Sequence, residues 1–497
     1  MLHAAGETIE GVGGQNDDAA VAQDVGYSSH IAHVRISVVE FQYHNLDKKE
    51  NAKVQKKLKK MLPLKYFFYL FVNKNMRKTL IKIVALIVFV VGGQWLVASG
   101  QNVRFEDYFT GGTLRVDCLR EGSAMGDTVW VENWVYRPGG WFGSRTQMID
   151  PFDNGDYRVE MRDAATGRVL YSRGYSNLFR EYKDTPEGKT TSKQFQETLL
   201  LPRPKGKVLI ALQKRDKETL KLFDQTVASF DPEVDELVPC FMITTATPDV
   251  PEPAVAYEIH GDPSVKLDVA FVMQGFDDDT LYYQSVCRRM AEGFFKNEPF
   301  RSHRNDFNLY FIRGNVGAEY NTFGSDRYLM TLKLWSLHWW LYDTPADHII
   351  IVVNNKKYGG GAIYNFYSVT SLDEMAEYVL PHELGHGIGG LADEYVDEDL
   401  SYADIHRTSY EPLEPNITNL VDFQSKWQSM LPEGTPVPTP DIDVPRKENG
   451  PLGVYEGAGY SAKGVYRPVM HCMMRDYAPF CPVCRQRLED IFKLYTR

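Results

Sequence analysis

His382-Glu383-Leu384-Gly385-His386 constrains the fold more than any other stretch of the chain. Histidines at i and i+4 lie one above the other on a helical face, so both imidazoles can reach a single ion if residues 382–386 are helical. Neutral imidazoles suit Zn²⁺. Glu383 is rotated by one residue, which turns its carboxylate toward an ion-held water instead of the ion. Gly387, Gly389 and Gly390 then allow a sharp turn that can bring Asp393 or Glu394 back as a third ligand. Ser371 followed by Glu374 reads as a capping box and predicts the start of this helix. Pro381 either kinks the helix or opens a new segment as its first residue, and the ligand spacing survives both. An ion so held lowers the pKa of its water and polarises a carbonyl. Glu383 is then the catalytic proton acceptor, and Tyr395 is a candidate to steady the oxyanion.

A second feature decides how much of the chain folds with this motif. Arg77, Lys78 and Lys82 precede the apolar run Ile83–Val91, and Ala98-Ser99-Gly100 follows. That is the layout of a secretory signal peptide over residues 76–100, with Met76 as its start. Ile83–Ala98, interrupted by Gln94 and two glycines, falls short of the roughly 20 apolar residues of a spanning helix. Residues 1–75, with their lysine-rich stretch Lys48–Lys60, read as an upstream or leader segment outside the fold. The expected location is therefore secreted, periplasmic or cell-surface, with no stable membrane span in the mature form. Residues 1–100 carry 13 Lys+Arg against 8 Asp+Glu; the whole chain is −11, so residues 101–497 carry −16. An acidic exported protein has no nucleic-acid-binding surface to offer.

The remaining chain divides by pattern. Thr113–Cys118, Thr128–Tyr136, Tyr157–Met161, Val169–Arg173, Gln194–Leu201 and Lys207–Gln213 alternate like strands, and Pro138-Gly139-Gly140, Asn154-Gly155 and Thr166-Gly167 supply turns. Residues 101–240 are expected to form an all-β sandwich. A proline-rich connection follows over 241–263. From 264 to 497 the strands Leu267–Met273, Asn308–Ile312 and His348–Val353 alternate with helical spacing over Asp277–Asn297, which indicates an α/β domain.

The stretch HELGHGIGGLADEY (382–395), with Asn354-Asn355 and the segment Tyr358–Tyr367, resembles the IgA-peptidase family of bacterial zinc metallopeptidases. Tyr320–Thr331, Glu298–Ile312, the tail Cys472–Cys484 and Phe105–Cys118 carry the same resemblance. It implies a multidomain protein, an N-terminal all-β sandwich followed by an α/β zincin-like metallopeptidase domain. It also implies one catalytic Zn²⁺ held by His382 and His386, Glu383 as general base, and a third ligand from Asp393 or Glu394. Met473 or Met474 is then a candidate for a methionine turn beneath the metal, and Gly359–Tyr367 for a strand bordering the cleft. The implied substrates are proteins or peptides, with host immunoglobulin or another glycoprotein among the candidates. A metal-containing protein that binds host glycoprotein or glycan with little turnover is the alternative.

Six cysteines are too few for a disulfide-built fold. In the tail, Cys481-x-x-Cys484 with Cys472 and His471 suits a disulfide, a closed zinc site or a redox pair. In an exported protein the disulfide is the leading expectation.

Overall fold

The computed structural model describes residues 103–243, 251–276, 279–397 and 409–496. The expected leader over 1–75 and signal peptide over 76–100 lie outside them. Among the described residues no helix is long and apolar enough to cross a membrane.

The N-terminal part is mostly β-sheet. After the short helix α1 (Phe105–Tyr108) come β1 (Phe109–Ser123), β2 (Gly126–Gly140), β3 (Tyr157–Asp163) and β4 (Val169–Tyr175). Helix α2 (Phe179–Tyr182) then leads to β5 (Lys193–Pro204), β6 (Val208–Arg215), β7 (Leu222–Phe230) and the two-residue β8 (Val238–Pro239). They form two four-stranded sheets, ordered β5-β1-β2-β8 and β4-β3-β6-β7. All pairings are antiparallel except β2 with β8.

On β1, Leu114, Val116 and Cys118 are fully buried on one face, as a period of two requires. The intervening Arg115 and Asp117 are buried as well, which is tolerable because they pair through two 2.8 Å hydrogen bonds. Strand β7 has no apolar alternation in its sequence, because all its side chains but Phe230 are exposed or only half-buried.

Beyond it, β9 (Val255–Glu258) lies inside the proline-rich connection and pairs antiparallel with the strand Phe307–Arg313. The order continues with β10 (Leu267–Gln274), α3 (Thr280–Phe294), β11 (Phe307–Arg313), α4 (Leu334–Trp340), β12 (His348–Val353), β13 (Gly360–Ile363), β14 (Tyr367–Ser371) and α5 (Ala376–Gly387). The hairpin β15 (Tyr455–Ala458) and β16 (Ser461–Arg467), then α6 (Met473–Asp476) and α7 (Pro482–Tyr495), complete it. One six-stranded sheet runs β13-β14-β12-β10-β11-β9, with the four central strands parallel and the two edges antiparallel.

Both faces of this sheet are covered, which is why its strands read as continuous apolar runs. Val269, Phe271 and Met273 of β10 join a cluster that includes Met290 of α3, Leu384 of α5 and Phe492 of α7. Ala270 and Val272 face the other way, into a cluster that continues through Leu114, Val159 and Ile210 of the N-terminal sheets. Thus one apolar core joins the N-terminal strands to the sheet that carries α5.

The predicted capping box is absent. Ser371 ends the buried strand β14, paired with Val353 of β12, and α5 begins at Ala376 behind Met375, which caps with no side-chain hydrogen bond. Strand pairing took the serine before the helix could. Pro381 sits inside α5, and the helix continues through it to Gly387.

Candidate metal centre

Helix α5 is held against the sheet by a short relay. The Ser368 hydroxyl on β14 donates to the Glu383 carbonyl at 3.0 Å, and His348 on β12 lies 2.9 Å from the same hydroxyl. Gly387 makes the approach possible: a Cβ there would meet Ser368 Oγ at 2.4 Å and His348 Cε1 at 2.6 Å. Beneath the helix, a Cβ on Gly385 would fall 2.3 Å from Met474 Sδ, so the glycine lets the tail methionine pack directly under the histidines.

The chain then turns as the glycines predicted. Gly390 has φ +58°, and its amide donates to His386 O at 2.9 Å while Leu391 N donates to Gly385 O at 3.0 Å. Asn154 of the N-terminal part donates to the Gly390 carbonyl at 3.2 Å. Asn416 brackets the returning segment, accepting from Ala392 N at 2.8 Å and donating to Ala392 O at 2.9 Å.

This turn brings Asp393 to the two histidines. Its Oδ1 lies 3.1 Å from His382 Nε2 and 3.3 Å from His386 Nε2, and the two Nε2 atoms are 3.2 Å apart. Each ring is oriented through its other nitrogen: His382 Nδ1 faces Met473 O at 2.9 Å, and His386 Nδ1 faces Leu391 O at 2.7 Å. A carbonyl only accepts, so both Nδ1 atoms carry a proton and both Nε2 atoms face inward, where their lone pairs are free for an ion once any proton there has left. Asp393 Oδ2 accepts the Tyr460 hydroxyl, whereas among the described residues the buried Oδ1 meets only the two imidazoles.

The donor set fits a divalent ion. Three ligand atoms about 2.0–2.1 Å from one tetrahedral ion stand roughly 3.3–3.4 Å apart, close to the triangle observed. Two imidazoles and one carboxylate, with a fourth position left over, match a catalytic zinc set. In the ion-free protein these groups stay together by sharing protons. Burial opposes a charge on His386, yet Asp393 beside it lifts its pKa to about 9. Asp393 is in turn held well below the usual carboxylate range, against its burial.

Glu383 points elsewhere. Its carboxylate makes no hydrogen bond among the described residues and lies beside β13, where a Cβ on Gly360 would come within 3.0 Å of Oε1. Burial pushes its pKa up, against the pull of the two imidazoles and Arg327. The edge of β13 is partly covered, because Gly360 N donates to Arg327 O and Leu329 N donates to Gly360 O, each at 3.3 Å.

Glu394, the other candidate ligand, turns away. Its Oε1 accepts from Asn416 Nδ2 at 2.8 Å and lies 3.3 Å from Cys484 Sγ. Tyr395 stacks edge-on against Tyr460, with centroids 5.3 Å apart, and shares the surroundings of Arg327. The expected disulfide is not formed. All six cysteines are free, and Cys472 and Cys484 hold their sulfurs 3.8 Å apart, well beyond a bond of about 2.05 Å.

Several residues around the site carried no local signal. Tyr460 reaches Asp393 from the β15–β16 turn, 67 residues away. Tyr477, edge-on to His382 at 5.7 Å, bonds Tyr358 through their hydroxyls at 2.8 Å. From the N-terminal part, Glu181 accepts the Tyr328 hydroxyl at 2.9 Å, and its charge reaches His386. Only long-range pairing assembles these groups.

Comparison with known families covers the same segments. Residues 104–223 match the family model described as Peptidase M64 N-terminus, and residues 311–450 and 444–492 match that of IgA Peptidase M64. No curated protein matches the chain. The second match spans α5, Asp393, the Tyr460 turn and the cysteine tail, the parts that meet around the histidine pair. Such a protein is a metallopeptidase that hydrolyses proteins or peptides, and the chain belongs to the IgA Peptidase M64 family.

Proposed function

We propose that this protein is an exported, zinc-dependent endopeptidase in which His382, His386 and Asp393 hold the metal and Glu383 is the general base. The observation that carries this reading is the triangle of 3.1–3.3 Å between two inward-facing Nε2 atoms and a buried carboxylate oxygen. Asp393 is preferred to Glu394 as third ligand because only its carboxylate reaches both imidazoles. The two N-terminal sheets, sharing one apolar cluster, support a sandwich over residues 101–240, and the parallel sheet with α5 supports a zincin-like catalytic domain over 264–497. Export rests on the 76–100 pattern, and host immunoglobulin or other glycoprotein is the substrate class we favour.

Zinc at this site supplies a Lewis acid for the scissile carbonyl and a water of near-neutral acidity. The carboxylate of Glu383 takes the proton of the attacking water as the new C–O bond forms. It returns that proton to the amide nitrogen as the C–N bond breaks, so a carboxylate and an amine leave. Arg327, whose charge acts on Glu383 and Asp393, and the Tyr395 phenol offer positive charge and a donor to the developing oxyanion.

The test uses the full-length chain on a mixture of protein substrates, with and without chelator, beside Glu383→Gln. Cleavage should stop with chelator and return with added zinc. The variant should keep its metal and lose about 10²–10⁴-fold in kcat. Cleavage that survives complete metal removal, or a variant at the wild-type rate, overturns the proposal.

A further inference from the structure

The carboxylate that turns away from the histidines enters a second cluster. Glu394, Cys472, Cys481 and Cys484 are all buried, and one ligand atom from each lies within 4.8 Å of the others. Cys472 Sγ and Cys484 Sγ are 3.8 Å apart, and Cys484 Sγ is 3.3 Å from Glu394 Oε1. Thiolates bound to one tetrahedral zinc at about 2.3 Å stand roughly 3.8 Å apart.

The surroundings are arranged for thiolates. Cys481 N donates to Cys472 Sγ, and Cys484 N donates to Cys481 Sγ, both at 3.4 Å. Cys481 is the N-cap of the fourteen-residue helix α7, with Cys484 in its first turn, where the helix end favours negative charge. Glu394 is completely buried, yet its Oε2 has no hydrogen-bond partner among the described residues. Such an oxygen is costly unless something occupies its lone pairs. His471, the ligand that the tail sequence offered, is engaged elsewhere, with Nδ1 on Asp476 and Nε2 on Val444 O at 3.0 Å.

We propose that Cys472, Cys481, Cys484 and Glu394 form a second, closed metal site that takes a thiophilic divalent ion of the zinc type. Three sulfurs and one carboxylate oxygen fill a tetrahedral shell, which leaves no position for substrate and makes the site structural. Binding replaces three thiol protons, which leave to solvent. Its location gives it a task. Glu394 follows Asp393 directly, Glu394 N donates to Met474 O at 2.7 Å, and the neighbouring Met473 carbonyl orients His382. An ion here therefore ties the tail to the segment that delivers Asp393, and holds two supports of the histidine site in place.

The inference does not rest on the catalytic reading, and its test separates the two. Metal analysis of the purified full-length chain should find one zinc ion for this site, and a second when the histidine site is loaded too. After exchange with cobalt(II), a near-ultraviolet thiolate-to-cobalt charge-transfer band should appear, because only this site contains sulfur ligands. His382→Ala should lose one ion and keep the band. Cys481→Ser should lose the band, and Glu394→Gln should keep it with at least tenfold weaker affinity. Wild-type protein alone can overturn the proposal. No charge-transfer band on cobalt loading does so, as does a disulfide among the three cysteines in unreduced peptide mapping, or alkylation of all three thiols in the native zinc-loaded protein.

Discussion

Asp393 and Glu394 are adjacent in sequence, yet Asp393 Oδ1 lies 3.1 Å from His382 Nε2 while Glu394 Oε1 lies 3.3 Å from Cys484 Sγ. The two side chains leave an irregular segment towards different neighbours, so one acidic pair serves two clusters. Asp393→Asn removes charge from the histidine pair alone. It should weaken zinc at that site by more than the about 10–100-fold typical of an outer hydrogen-bonding partner, with peptide hydrolysis lost in parallel. Competition against a chromophoric chelator measures this. Unchanged affinity would remove Asp393 from the ligand set.

Much of this arrangement was legible locally. The 382–386 spacing, the glycine-permitted turn and the strand runs of the N-terminal half all depend on neighbouring residues, and each occurs where the pattern placed it. Reading failed where distant groups compete for a residue. Ser371 had a helix-capping signal but was claimed by pairing with Val353 on β12. The asparagine that fastens the Gly390 turn is 236 residues upstream, and the phenol on Asp393 is 67 residues downstream. Cys-x-x-Cys was ambiguous for another reason. Disulfides and metal thiolates use the same spacing, and the carboxylate that joins the three sulfurs, Glu394, lies in a different motif.

Tyr460 tests how far the second layer tunes the site. Its hydroxyl donates to Asp393 Oδ2, which leaves Oδ1 facing the histidines. Tyr460→Phe keeps the ring against Tyr395 and removes the donor to Asp393, together with the hydroxyl's contact to the Tyr395 phenol. Zinc affinity should fall about 10–100-fold, and activity should recover at higher free zinc. A variant with wild-type affinity would show that Asp393 is oriented by its backbone alone, through Gly459 N on Asp393 O at 2.9 Å.

Gly390→Ala should be more damaging than its size suggests. At φ +58° any L-residue is strained, by about 1–2 kcal/mol. The added Cβ would also fall 2.2 Å from Asn154 Nδ2 and 3.0 Å from the Tyr364 ring. Gly434→Ala is the control, because that glycine has φ +81° with nothing within 4 Å of the new methyl. Both variants should unfold at lower temperature, but only Gly390→Ala should also lose zinc affinity, since the turn carries the chain to Asp393. Equal effects in the two would reduce the role of Gly390 to backbone strain.

His348 should make the fold sensitive to acid. It is 3 % exposed on β12, and burial lowers its pKa from 6.5 to about 3. Below pH 6.5 the unfolded chain binds the proton and the folded one does not, so this contribution to stability is complete above 6.5 and is lost as pH falls toward 3. The loss is about 1.4 kcal/mol for each pH unit in that window. His348→Gln keeps a donor for Ser368 Oγ and removes the titration. Urea unfolding of both proteins at pH 7 and pH 4.5 should show the wild type losing about 3 kcal/mol more than the variant. Other titrating groups, including the histidine pair of α5, are common to both proteins and cancel in the difference. An identical pH dependence in the two would mean that His348 is protonated in the folded state, and that the Ser368 relay does not require the neutral ring.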